Sequence, residues 1–156
     1  MDMSYLKDMP IAILGAGAVG KTMAADCALA GKEVRLWDQP RFAKTNFTNI
    51  EKTGITLAGA QFSYFGYQRK GTVKIALATD DMAKAVKGAG IIIVAAVAVA
   101  HETIFRELIP LLEDGQVIHI LPDNCGTFIF RKLMREMNCT KKVIVGAWYT
   151  APYGIR

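Results

Sequence analysis

Residues 10–38, PIAILGAGAVGKTMAADCALAGKEVRLWD, decide the fold. A short apolar run, Ile11 to Leu14, leads into three glycines. A helical segment from Ala18 to Ala30 follows, in which Val19, Met23, Cys27 and Ala30 recur at three- and four-residue spacing. Gly31 stands where a helix end takes a left-handed residue. Glu33 to Asp38 mixes branched and aromatic residues as strands do, and it ends before Gln39-Pro40. Strand, tight turn, helix, strand is the opening of a doubly wound α/β sheet.

The turn itself reads Gly15-Ala16-Gly17-Ala18-Val19-Gly20, the spacing GxGxxG. The first glycine permits the tight turn, the second lets backbone approach a pyrophosphate, and the third packs helix against strand. The helix N-terminus offers free N–H groups and partial positive charge to phosphate. Asp38 closes the second strand 18 residues after Gly20, close to the spacing of an acid that binds ribose hydroxyls. These features predict a dinucleotide site built on Gly15, Gly17, Ala18, Val19, Gly20 and Asp38. A carboxylate at Asp38 repels a 2′-phosphate, so NAD is the first expected cofactor. Arg41, three residues on, can stack on adenine or neutralise that phosphate, which keeps NADP as the second candidate. Asp38 also fits a plainer role as a turn former or helix cap.

Outward from this unit, a polar helix is predicted over Arg41 to Thr53. An alternating, glycine-punctuated β excursion comes next, and then a third main strand, Ile75 to Ala78. Asp80 is expected to cap a short helix ending at Lys87. The unbroken run IIIVAAV fits a strand buried on both faces. A helix from about Ala100 to Glu113, a strand Val117 to Leu121, a helix Phe128 to Met137 and a strand Val143 to Ala147 complete the series. The prediction is a Rossmann-like, mostly parallel sheet of about six strands in the order 3-2-1-4-5-6. Ligands of such sheets bind beyond the strand carboxyl ends. That places Ala96 and Val97 at the end of the fourth main strand, His101 just past it and Asn124 after the fifth as candidates beside the cofactor. His101 equally fits a plain helix-start residue, and Asn124 a turn residue before Gly126. His119, inside an apolar alternation, reads as a core histidine bonded to backbone.

Composition narrows the functional classes. The chain has 156 residues, 52% hydrophobic and 21% charged, enough for one packed core and too apolar for disorder. The charge-free stretch Gly88 to Ala100 falls short of the ~20 residues of a membrane span, and the N-terminus carries acids unlike a targeting segment. A cytoplasmic protein with no membrane partner is expected. The net charge of +5 is spread along the chain, which argues against nucleic acid. Cys27, Cys125 and Cys139 form no CxxC pair and the chain has two histidines, so neither a disulfide framework nor a metal site is expected. All three read as buried, reduced thiols.

Beyond the opening, VAAVAVAHE follows the fourth main strand, ILPDNCGTFIF follows the fifth, and TAPYGIR ends the chain. With these segments the sequence resembles the N-terminal domain of the octopine/nopaline (opine) dehydrogenases, relatives of glycerol-3-phosphate dehydrogenase and ketopantoate reductase. Val97 stands where that family has a proline, Asp123 where a glycine is usual, and Ala147-Trp148 where an acidic-polar pair is common. The resemblance implies hydride transfer between a nicotinamide and an imine formed from an amino acid and a 2-oxo acid. It also implies that the catalytic histidine and aspartate lie in a following helical domain, so that residues 1–156 form a cofactor-binding domain that is inactive alone. Tyr153 and Arg156 are then candidates to reach a substrate carboxylate. A separate catalytic chain or a homo-oligomer is a candidate partner. The other readings are a self-standing NAD-responsive module and the cofactor domain of another 2-oxo acid or sugar phosphate dehydrogenase.

Overall fold

The computed structural model describes residues 3–58, 69–150 and 152. After a 3-10 turn, Ser4–Asp8, the chain runs β1 (Ile11–Leu14), α1 (Ala18–Leu29), β2 (Val34–Trp37), α2 (Pro40–Asn46) and α3 (Ile50–Thr53). It continues through β3 (Ile55–Leu57), β4 (Gly71–Val73), β5 (Leu77–Thr79), α4 (Met82–Val86) and β6 (Ile91–Ala95). The last elements are α5 (His101–Leu108), β7 (Val117–Leu121), α6 (Gly126–Glu136) and β8 (Ile144–Ala147). Six strands form one sheet in the order β5-β2-β1-β6-β7-β8, every pair parallel. In main-strand terms this is the predicted 3-2-1-4-5-6. The β excursion is present as the antiparallel pair β3-β4, which packs beside α1.

Each central strand is buried on both faces, and the alternation of its side chains divides the core in two. Ala12 and Leu14 of β1, with Ile92 and Val94 of β6, join Phe105, Leu108, Phe130 and Leu133 under α4, α5 and α6. Ile11 and Ile13, with Ile93 and Ala95, join Met23 and Ala24 under α1 on the opposite face. The unbroken apolar run at 91–95 is therefore the sheet centre, wedged between β1 and β7. Among the described residues no helix is long and apolar enough to cross a membrane.

Several element boundaries differ from the sequence prediction, each for a local reason. The helix expected over Arg41 to Thr53 is two helices, because the Thr48 hydroxyl donates to the carbonyls of Lys44 and Thr45 and the chain turns to bury Ile50. The third main strand is displaced from Ile75–Ala78 to Leu77–Thr79, pairing Arg35 with Leu77 and Trp37 with Thr79. Asp81, not Asp80, caps α4: its carboxylate accepts the Lys84 N–H at 3.2 Å, while the Asp80 carbonyl accepts the Trp37 indole N–H. The fourth main strand stops at Ala95, and its following helix is α only over His101–Leu108, because Pro110 lacks the N–H that would continue it. α6 begins at Gly126, two residues before the predicted Phe128, because the Asp123 carboxylate accepts the Thr127 N–H at 2.8 Å.

Candidate functional site

The carboxyl ends of β1, β2, β6, β7 and β8 form one edge of the sheet, and the chain reverses at its middle, where β1 feeds α1 toward β2 while β6 feeds α5 toward β7. Gly15 leaves β1 with φ +112°, and its N–H donates to the Trp37 carbonyl at 2.8 Å, which ties the turn to β2. A Cβ at Gly15 would overlap the Ala95 carbonyl oxygen, and one at Gly20 would overlap the Gly15 carbonyl. Both glycines are therefore demanded by backbone packing. Gly17 differs: a Cβ built there meets no atom of the described residues within 4 Å. Among the described residues the space over Gly17 is open, Gly17 and Ala18 are exposed, and no side chain caps α1. The first N–H groups of a 12-residue helix thus face solvent with no acidic residue in the first turn to neutralise them.

Asp38 follows β2 at 6% exposure. Its Oδ1 accepts the Gln39 N–H at 2.9 Å and its Oδ2 accepts an N–H of the Asn46 amide at 2.6 Å. Asp38 therefore does form the turn, and each oxygen keeps a lone pair beyond that role. Arg41 is exposed; its Nε donates to the Gln39 Oε1 at 2.9 Å and its guanidinium lies 4.5 Å from the centre of the Phe42 ring.

The other half of the edge is different in kind. Ala96 is half-buried and Val97 exposed, with Val99 at 92% exposure beyond it. His101 has no exposed surface; its Nε2 pairs with the Ala96 carbonyl at 3.0 Å, and its Nδ1 is buried without a partner. Burial lowers its pKa, opposed by the Ala96 contact and by the Asp123 charge. The ring fits because position 126 is glycine: a Cβ there would come within 2.7 Å of the His101 Nδ1. His101 thus fastens the start of α5 beneath the N-terminus of α6 and does not open onto the crevice. Asn124 and Cys125 are exposed with φ of 39° and 66°. Cys125 corrects the expectation of three buried thiols, since it sits in the left-handed turn before α6 and is exposed, while Cys27 and Cys139 are half-buried. Burial raises the Cys27 pKa, and the neighbouring Asp26 adds to it.

His119 is a second correction. It is half-buried, and its partner is a side chain, not backbone: the Trp148 indole N–H donates to its Nδ1 at 3.0 Å. Its pKa is lowered by burial. Tyr153 and Arg156 lie outside the described residues. The residues that sequence reasoning missed are Asn46 and Lys21, whose Nζ donates to the Asn46 Oδ1 at 3.4 Å. Lys21 directly follows the third glycine, but Asn46, at the end of α2, reaches it only in the folded chain.

Over residues 11–126 the sequence matches the family described as "Ketopantoate reductase PanE/ApbA". An opine dehydrogenase from Arthrobacter sp. (strain 1C) is 32% identical over 136 residues, 86% of this chain and 35% of that protein. Octopine dehydrogenase, solved with NADH and L-arginine, superposes with a TM-score of 0.77 at 22% identity, over 94% of this chain and 36% of its own. A PanE/ApbA family ketopantoate reductase from Ralstonia eutropha JMP134 superposes with a TM-score of 0.65 at 23% identity, over 89% of this chain and 40% of its own. A glycerol-3-phosphate dehydrogenase from Coxiella burnetii gives 0.62 at 19% identity, over 88% and 38%. The shared fold is thus Rossmann-like, and this chain spans between 35% and 40% of the length of these proteins.

Proposed function

This chain belongs to the ketopantoate reductase PanE/ApbA family, and on that premise we propose that it is the dinucleotide-binding part of an NAD(P)-dependent oxidoreductase of the opine dehydrogenase type. The observation that carries this reading is the open space over Gly17, bounded by two glycines that backbone packing requires and backed by an uncapped helix N-terminus. A turn that only joined β1 to α1 would need Gly15 and Gly20 and would tolerate any side chain at 17. Backbone laid bare there suits the close approach of a pyrophosphate.

The residues present fit the group. The N–H groups at the start of α1 would take the pyrophosphate, the free lone pairs of Asp38 the adenosine ribose hydroxyls, and Arg41 the adenine face or a 2′-phosphate. Ala96, Val97 and Asn124 would border the nicotinamide side. Asp38 carries a charge that repels a 2′-phosphate, so NAD is the preferred partner and NADP the weaker one. Bound there, a nicotinamide supplies the hydride that reduces an imine formed from an amino acid amine and a 2-oxo acid carbonyl.

Among the described residues, neither histidine of this edge is placed to offer the proton that such chemistry needs. His101 is enclosed and His119 is bound to Trp148, and general acid–base work requires a group within hydrogen-bond reach of the substrate. Acid–base catalysis is accordingly assigned to a further domain of the whole protein. The exposed apolar side chains of Val97, Val99, Phe128, Trp148 and Tyr149, gathered beyond β6, β7 and β8, support a cover on that side.

The test is a fluorescence titration of the purified chain with NADH and with NADPH. Saturable binding of NADH, tighter than that of NADPH, is expected. No binding of either at millimolar concentration would overturn the reading.

A further inference from the structure

Asp38, Asn46 and Lys21 form a chain of hydrogen bonds running from the end of β2 across to α1. Asn46 stands in the last turn of α2 and touches both charged groups: its amide N–H donates to the Asp38 Oδ2 at 2.6 Å, and its carbonyl accepts the Lys21 Nζ at 3.4 Å. An amide is neutral and two-faced, so it satisfies an acid on one side and an ammonium on the other without cancelling either charge. We propose that Asn46 is a specificity-determining residue that preserves the preference for NAD over NADP by keeping the Lys21 ammonium off the Asp38 carboxylate. The inference rests on the reading of this edge as a dinucleotide site.

The physical argument is one of competition. Asp38 discriminates against a 2′-phosphate only while its carboxylate is charged, uncompensated and held with free lone pairs toward the ribose. Asn46 and the Gln39 N–H hold both oxygens in one rotamer at 6% exposure, and neither brings a positive charge. Arg41 is directed to Gln39 and Phe42 instead. Lys21 is the cation linked to the carboxylate through a single intervening side chain. Its flexible four-carbon stem lets it re-pair readily, and it borders with Asn46 a cavity of about 290 Å³ that leaves it room. Without the amide, the ammonium would close on Asp38. That ion pair would compensate the charge that repels the phosphate.

The experiment compares dissociation constants for NADH and NADPH in the purified chain, the Asn46→Ala variant and the Asn46→Ala/Lys21→Met double variant. Asn46→Ala should lower the ratio favouring NADH by roughly tenfold, the scale on which close charge pairs act. The double variant should recover the ratio, because no ammonium remains to replace the amide. If Asn46→Ala does not fold, as judged by its circular dichroism, Asn46→Leu makes the same comparison, since leucine fits a helix and offers no hydrogen bond. An unchanged ratio with binding retained overturns the role of Asn46 alone, as does a double variant as relaxed as the single one. A wild-type chain that binds neither nucleotide brings down the dinucleotide reading and this inference together.

Discussion

At the carboxyl ends of β1 and β2 the surface is made of bare backbone, a buried carboxylate and an uncapped helix start. At the ends of β6, β7 and β8 it is made of Val97, Val99, Phe128, Trp148 and Tyr149, the last at 97% exposure, over histidines already committed inside the protein. In the first half the turn is fixed by backbone contacts, and the Asp38 oxygens and the start of α1 keep hydrogen-bonding capacity to spare. The second half presents apolar surface that the described residues leave exposed. Under the proposed reading, nucleotide recognition falls to the first half, and the second half borders it with an exposed apolar face.

The largest expected effect breaks the first half. Gly20→Ala places a Cβ against the Gly15 carbonyl, which is backbone and cannot swing away, and should cost about 3 kcal/mol or more in denaturant unfolding, together with nucleotide binding. Gly126→Ala does the corresponding damage in the second half through a side chain. The His101 ring must yield, so a loss of about 1–3 kcal/mol is expected, with nucleotide binding reduced far less than by Gly20→Ala. Equal losses of binding in the two variants would erase the division between the halves.

A smaller effect comes from pH and belongs to the second half alone. Burial depresses the pKa of His101 and His119 below the ordinary 6.5, so the unfolded chain takes up protons more readily than the fold. Stability is then fully present above about pH 6.5 and declines as pH falls through that value toward the folded pKa values. Thermal unfolding across this range should show the decline. His119→Gln, whose amide can accept the Trp148 N–H without titrating, should flatten it.

Two substitutions should scarcely move stability, within about 0.5 kcal/mol, and separate the halves by function. Gly17→Ala meets no atom of the described residues and should weaken nucleotide binding while the melting temperature holds. Phe128→Ser, at an exposed site, should leave nucleotide binding intact and reduce the binding of an apolar surface dye. A Gly17→Ala variant that binds as well as the parent would mean that the open space is no phosphate seat.

The two halves also differ in how far they can be read from sequence. GxGxxG, Asp38 and the flanking strand and helix are local, so the turn, the first βαβ unit and the sheet order follow from spacing and periodicity. The burial of His101 does not. It depends on Gly126 being adjacent in space across two strands, and a helix-start histidine looks the same whether it faces in or out. His119 is similar, since its partner Trp148 lies 29 residues away and is set by the β7-β8 register. Cys125 looks like any buried thiol until the turn at Asn124 and Cys125 takes left-handed geometry and lifts it to the surface. Asn46 bears no motif, because its hydrogen bonds to Asp38 and Lys21 arise only where the fold brings the end of α2 to them.

The most direct test of the central claim is to follow backbone amide resonances of the isotope-labelled chain as NADH is added. Perturbations should concentrate at Ala16 to Gly20 and at Asp38 to Arg41, with weaker ones around Ala96 and Asn124. Binding that leaves the 15–20 amides unmoved would contradict the account, because the open space over Gly17 would then not be where the nucleotide sits.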